Sequence, residues 1–175
     1  MSDEKNNFED VLNKLVKLEM FKSFSAENER DRNILKALYD CCTIKKFKKG
    51  DLIIREGDFG DELYILTSGS VFIHRKTPHG DDIAIVTLND SMNVFFGEAA
   101  LIGKDSRSAS ITATTDCRTL VINGKDFEVL CEKEPLLGYR VFKCIASRMQ
   151  KSIAKANSDI ATLYEALFLE IEGDQ

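Results

Sequence analysis

Arg107 and Glu98 are the two residues whose types and spacing suggest chemistry in this chain. A guanidinium grips a phosphate through two parallel hydrogen bonds, which an ammonium does not do. A carboxylate nine residues earlier in the chain can accept hydrogen bonds from a sugar hydroxyl. Gly97, just before Glu98, lets the backbone come close to a ligand. Ala99, Ser108 and Ala109 are small, so they leave room for a ligand and expose their amides. The run Glu98-Ala99-Ala100-Leu101-Ile102 has helix formers but is too short for a full helix. One or two helical turns are expected there, with leading N–H groups that favour an anion. Singly, each feature is ordinary: a loop arginine is usually solvated, and a glutamate at a helix start usually complements the dipole. Their combination is what carries information.

These residues need a scaffold, and the pattern around them supplies one. Short β-rich runs about ten residues apart, separated by turn signals, indicate an antiparallel sandwich or barrel. They are Leu52-Ile53-Ile54, Leu63-Tyr64-Ile65-Leu66, Val71-Phe72-Ile73, Ile83-Ala84-Ile85-Val86, the alternating Ala109, Ile111 and Ala113, and Leu120-Val121-Ile122. Turn clusters at Glu56-Gly57-Asp58-Phe59-Gly60-Asp61 and Pro78-His79-Gly80-Asp81 divide them. Ahead of the strands, apolar spacing predicts a helix over 8–20, capped by Asn7, and a second capped by Ser25 with Ile34, Leu35, Leu38 and Cys41 or Cys42 on one face. After Asn123 a helix carrying Phe127, Leu130 and Cys131 must stop before Pro135, which then opens a last, long helix. No internal repeat or flexible linker interrupts this order.

Composition narrows the function. The 175 residues suit one domain with a real core, and 43% apolar and 30% charged residues are ordinary for a globular protein. A net charge of −5 argues against nucleic acid as the main partner. The basic cluster Lys45, Lys46, Lys48 and Lys49 reads first as a solvated strand edge rather than a phosphate track. Five cysteines, without a C-x-x-C pair or zinc spacing, read as small buried residues of a reducing compartment. His74 and His79 lack the H-x-H spacing of a cupin-type metal site. Residues 1–7 are polar and acidic, unlike a secretory signal, and no run is long and apolar enough to span a membrane. A cytoplasmic, membrane-free, non-enzymatic protein without a resident cofactor is expected.

Phe96-Gly97-Glu98-Ala99-Ala100-Leu101 followed by Arg107-Ser108-Ala109-Ser110 resembles the phosphate-binding cassette of the cyclic-nucleotide-binding domain family. That family includes the regulatory subunit of protein kinase A, cyclic-nucleotide-gated channels and the catabolite activator protein. The likeness extends over about residues 13–151 and takes in Gly50, Gly57, Gly69 and Leu63-Tyr64-Ile65. It implies a mainly β fold with flanking α: an antiparallel, jelly-roll-like β-barrel, with N-terminal helices, a short cassette helix and a long C-terminal helix. On that reading residues 1–43 form a helical segment, 44–123 the barrel with the cassette at 96–110, and 124–175 the closing helices. It implies that Arg107 pairs with a cyclic phosphate, that Glu98 bonds the ribose 2′-hydroxyl, and that backbone amides at Ala99, Ser108 and Ala109 complete the cradle around Gly97. The ligand is then cAMP or cGMP, with Ser108 compatible with either and cAMP preferred. A cyclic dinucleotide would have to leave its second base exposed.

Two positions depart from the family pattern. Leu88-Asn89-Asp90-Ser91-Met92-Asn93-Val94-Phe95-Phe96 lacks the usual glycine turn, for which Asn89, Asp90 or Asn93 can substitute in a left-handed conformation. Ser106 stands where the kinase branch often has proline.

The last helix is where the family places its lid, and Arg140 or an apolar neighbour is the candidate to cap the base. From Phe142 on, apolar residues alternate four and three apart, with Ala146, Ile153, Ile160 and Leu167 at heptad a and Phe142, Met149, Ala156 and Leu163 at d. This predicts either a homodimer seam or an amphipathic helix lying on its own barrel. No recognition helix, kinase or channel segment follows the barrel, and Met1 with a natural-looking C-terminus favours a stand-alone sensor acting on a separate, unidentified protein. The competing reading is a degenerate member of the family that keeps the fold as a ligand-free interaction module.

Overall fold

A computed structural model of the chain describes residues 7–77, 82–103 and 106–173. The turn expected at 78–81, with His79, lies outside the described residues, as does the polar start at 1–6.

Helix α1 (Phe8–Leu15) begins where Asn7 accepts the Glu9 N–H, and buries Val11, Leu12 and Leu15. It stops five residues short of the expected end. Leu18 turns extended, and a 3₁₀ turn over Glu19–Phe21 follows. The break lets Leu18, Met20 and Phe21 all bury, which an unbroken helix would have spread over two faces. Helix α2 (Glu29–Cys41) is capped by Asn28, whose side chain accepts the Asp31 N–H at 3.0 Å, rather than by Ser25. The Ser25 N–H instead donates to the Asp31 carboxylate at 3.0 Å.

Eight strands follow: β1 (Thr43–Phe47), β2 (Leu52–Ile54), β3 (Glu62–Ser68), β4 (Ser70–Lys76), β5 (Asp82–Asn89), β6 (Phe95–Phe96), β7 (Ser110–Ala113) and β8 (Cys117–Asn123). They form two four-stranded antiparallel sheets, ordered β1-β8-β3-β6 and β2-β7-β4-β5. The expected barrel is thus an open jelly-roll sandwich: among the described residues no strand ladder joins the two sheets into a closed cylinder.

Inside the sandwich pack Ile54, Tyr64, Leu66, Val71, Phe96, Ile111 and Val121. The outer face of the first sheet, through Leu63, Ile65, Leu120 and Ile122, packs on the helices. Strands β3 and β8 are therefore buried on both sides, which is why their sequences are continuous apolar runs rather than alternating ones.

Asn93, at φ +49°, supplies the left-handed turn that leads into β6. Asn123 caps helix α3 (Gly124–Lys133) by accepting the Lys125 N–H at 2.9 Å. Helix α4 (Pro135–Gly173) is 39 residues long, about 58 Å at a normal helical rise. Leu137, Val141 and Ile145 anchor its start in the core, whereas Met149, Ile153, Ile160, Leu163 and Leu167 are exposed. No described helix is long and apolar enough to cross a membrane. All five cysteines are free thiols, and burial pushes Cys131 up to about 11.

Candidate functional site

The site grows from β6. Phe96 pairs with Tyr64 across the ladder, and their rings stack at 5.3 Å and 11°. Burial first, and then the 2.6 Å bond its hydroxyl donates to Glu62, push the Tyr64 phenol well above its ordinary pKa, so the phenol stays neutral. With β6 held in this way, the chain reverses at Gly97. Its φ is +79°, and a Cβ there would lie 2.8 Å from both the Arg107 guanidinium and the Glu62 carbonyl. A single 3₁₀ turn, Glu98–Leu101, follows and buries Ala100 and Leu101. The expected one or two helical turns are therefore present. Gly124 permits this packing, since any side chain there would strike the Ala100 carbonyl.

Arg107 returns the chain to this point. Its backbone N–H donates to Asp58 and its carbonyl accepts the Gly57 N–H, both at 2.8 Å, so the turn after β2 clamps it in place. The side chain is only 8% exposed. Nη1 donates to the Gly97 carbonyl at 3.1 Å and Nη2 to the Glu62 carbonyl at 2.8 Å. Those two bonds use two of the five guanidinium N–H groups. Among the described residues no carboxylate forms an ion pair with Arg107. A buried cation held only by neutral carbonyls has lost its hydration without gaining a counter-charge, and such a group draws in an anion.

Gly97 and Arg107 are thus brought into direct contact, with Glu98 next in the chain. Glu98 is half-buried, and its carboxylate lies 3.5 Å from Nη2 of Arg148 on α4. The Arg148 guanidinium also covers the Phe95 ring at 4.5 Å and lies 3.9 Å from Glu19. Ala99 and Ser108 are exposed and Ala109 is half-buried. Arg140, the candidate lid, is engaged elsewhere. It pairs with Asp31 at 2.9 Å and covers the Phe24 ring at 4.4 Å, tying the start of α4 to α2.

Four contributors escaped the sequence reading. Gly60 is the closest wall of the Arg107 guanidinium: a Cβ there would lie 2.5 Å from Nε. Its signal was present but was absorbed into a turn motif. Glu62 and Tyr64 act through a carbonyl and a ring stack, which residue types do not announce. Arg148 depends on the path of α4 past the cassette.

Residues 44–134 match the family described as cyclic nucleotide-binding domain. The chain is 35% identical over 124 residues to human cGMP-dependent protein kinase 2, an alignment covering 62% of this chain but only 16% of the kinase. Among solved structures, it is similar to the catabolite activator protein of Thermus thermophilus, with a TM-score of 0.66 and 25% identity over 78% of this chain and 62% of that one. It is also similar to the regulatory domain of Toxoplasma gondii PKA in co-crystal with cAMP, with a TM-score of 0.62 and 25% identity over 74% of this chain and 46% of that one. A left-handed glycine, a carboxylate beside it and a buried arginine folded back onto that glycine lie within the matched segment, and the chain belongs to the cyclic nucleotide-binding domain family.

Proposed function

We propose that this chain is a cyclic-nucleotide sensor that binds cAMP, with cGMP as the competing ligand, and regulates a separate protein rather than catalysing a reaction. The observation that carries the reading is Arg107: buried, aligned by two backbone carbonyls and lacking an ion-pair partner among the described residues. A cyclic phosphate carries one negative charge and presents two oxygens to such a fork. Glu98 then takes the ribose hydroxyl, and the amides of Ala99, Ser108 and Ala109 line the remaining cradle around Gly97.

The output runs through α4. Arg148 on this helix faces the carboxylate assigned to the sugar, so a hydroxyl arriving at Glu98 alters a contact that α4 makes with the cassette. A ligand with different affinities for the two arrangements shifts the balance between them. A lid role for Arg140 would require it to leave Asp31.

The distal half of α4 supports pairing with a second copy. Met149, Ile153, Ile160, Leu163 and Leu167 are each at least half exposed and fall on the heptad seam. A cytoplasmic location belongs to the same proposal, and the five free thiols suit a reducing compartment. Calorimetric titration of nucleotide-free protein with cAMP and with cGMP tests the reading: saturable binding of either supports it, and binding of neither overturns it.

A further inference from the structure

Beyond Arg148, helix α4 stands clear of its own domain. Every residue from 149 to 169 is exposed, a stretch of about 30 Å. The apolar seam is also open at the base of the helix, where Tyr139 and Phe142 are exposed at heptad positions a and d. A helix that shows an apolar stripe to water over such a length is held by a partner helix more than by its own propensity.

The charges indicate which way that partner runs. Residues 136–158 hold Arg140, Lys143, Arg148, Lys151 and Lys155 and no acid. From 159 on come Asp159, Glu165, Glu170, Glu172 and Asp174 and no base. This polarity opposes the helix's own dipole, since the first turn carries no acid and the last turn no base. Lys151 and Lys155, four residues apart, add a like-charge pair on one face. A parallel partner would set basic half beside basic half and acidic beside acidic. An antiparallel partner sets each half beside its opposite, and the two dipoles cancel.

The seam favours the same direction. In a parallel pair each layer repeats itself, so Ala146 faces Ala146 and Ala156 faces Ala156, which leaves two thin layers in the core. In an antiparallel pair position a of one helix meets position d of the other. With Ile153 set opposite the second copy's Ala156, Met149 falls opposite Ile160, Ala146 opposite Leu163 and Phe142 opposite Leu167. Each alanine then faces a large side chain, the alternation by which a core fills its volume.

We infer that α4 pairs with a second copy of this chain as an antiparallel coil, centred between Ala154 and Lys155, with the two cassettes at opposite ends. The inference rests on the dimer reading above and adds its direction and register. Each helix tip then lies along the base of the other copy's α4. That base is the stretch from which Arg148 reaches Glu98, so pairing and cassette contact share one segment.

The test is a pulsed electron-spin distance measurement on the full chain. A spin-labelled p-acetylphenylalanine replaces Ala154 in one sample and Leu169 in another, which leaves the cysteines untouched. Both positions lie outside the seam. The antiparallel pair predicts about 20–30 Å between the labels at 154 but about 45–50 Å between those at 169. Short distances at both positions would overturn the antiparallel direction while keeping the dimer. The absence of any dipolar coupling at 154, with a monomer by light scattering, would remove the dimer and this inference together.

Discussion

Gly60→Ala tests the site without touching the ligand. Gly60 is not among the glycines with left-handed backbone, so alanine suits its conformation. The added Cβ would lie 2.5 Å from Nε, 2.6 Å from Nη2 and 2.8 Å from Cζ of Arg107. Ordinary van der Waals contact begins near 3.4 Å, so the guanidinium must retreat by about 0.9 Å. The Nη2 bond to the Glu62 carbonyl, now 2.8 Å, does not survive a displacement of that size in most directions. The end of a flexible side chain moves cheaply, so the thermal midpoint should fall by no more than about 4 °C. The phosphate, however, meets a misdirected fork. Losing one charge-assisted bond costs about 1.5–3 kcal/mol, or roughly 10- to 150-fold in affinity. Calorimetry with cAMP measures that loss, and thermal melting checks the fold. Gly103→Ala is the control, because nothing lies within 4 Å of its added Cβ. A folded Gly60→Ala protein with unchanged affinity would refute the claim that the observed pose of Arg107 is the binding pose.

Four further outcomes are expected. Glu98→Gln should bind cAMP more weakly and narrow the preference for ribose over 2′-deoxyribose nucleotides; an undiminished preference would remove Glu98 from the sugar. Asp31→Ala strands the Arg140 guanidinium and should cost about 2 kcal/mol of stability by chemical denaturation. Arg140→Ala should keep the ratio of cAMP to cGMP affinity, and a changed ratio would restore Arg140 to the lid. Ile153→Glu with Ile160→Glu should convert a dimer to monomers by light scattering, and a wild-type monomer at high concentration would dismiss the seam.

Much of the scaffold was legible because local chemistry enforced it. Pro135 separates α3 from α4, Asn93 supplies the left-handed turn, and the apolar runs of β3 and β8 announce strands covered on both faces. Gly97 and Arg107 were legible through the family resemblance of Phe96-Gly97-Glu98 and Arg107-Ser108-Ala109-Ser110, and the fold brings the two residues into contact. What escaped depends on where distant segments meet. Helix α1 ends early because Leu18, Met20 and Phe21 need a common core. Asn28 caps α2, while the Ser25 hydroxyl is engaged by Glu27, accepting its N–H and donating to its carboxylate. Whether eight strands close into a barrel or part into two sheets is decided at their edges, which alternation does not encode. Arg140 and Arg148 lie on one helix, and only its path shows that the first pairs with Asp31 on α2 while the second reaches Glu98 in the cassette.

The central claim is that Arg107 holds a cyclic phosphate, and one comparison tests it most directly. Wild-type protein and Arg107→Ala, both stripped of co-purified nucleotide, are titrated calorimetrically with cAMP and cGMP. Removing a buried charge from such a pair costs about 2–5 kcal/mol, so affinity should fall at least ~30-fold while the fold persists. The same Kd for a folded Arg107→Ala protein would place the phosphate elsewhere, and no binding by the wild type would contradict the sensor itself.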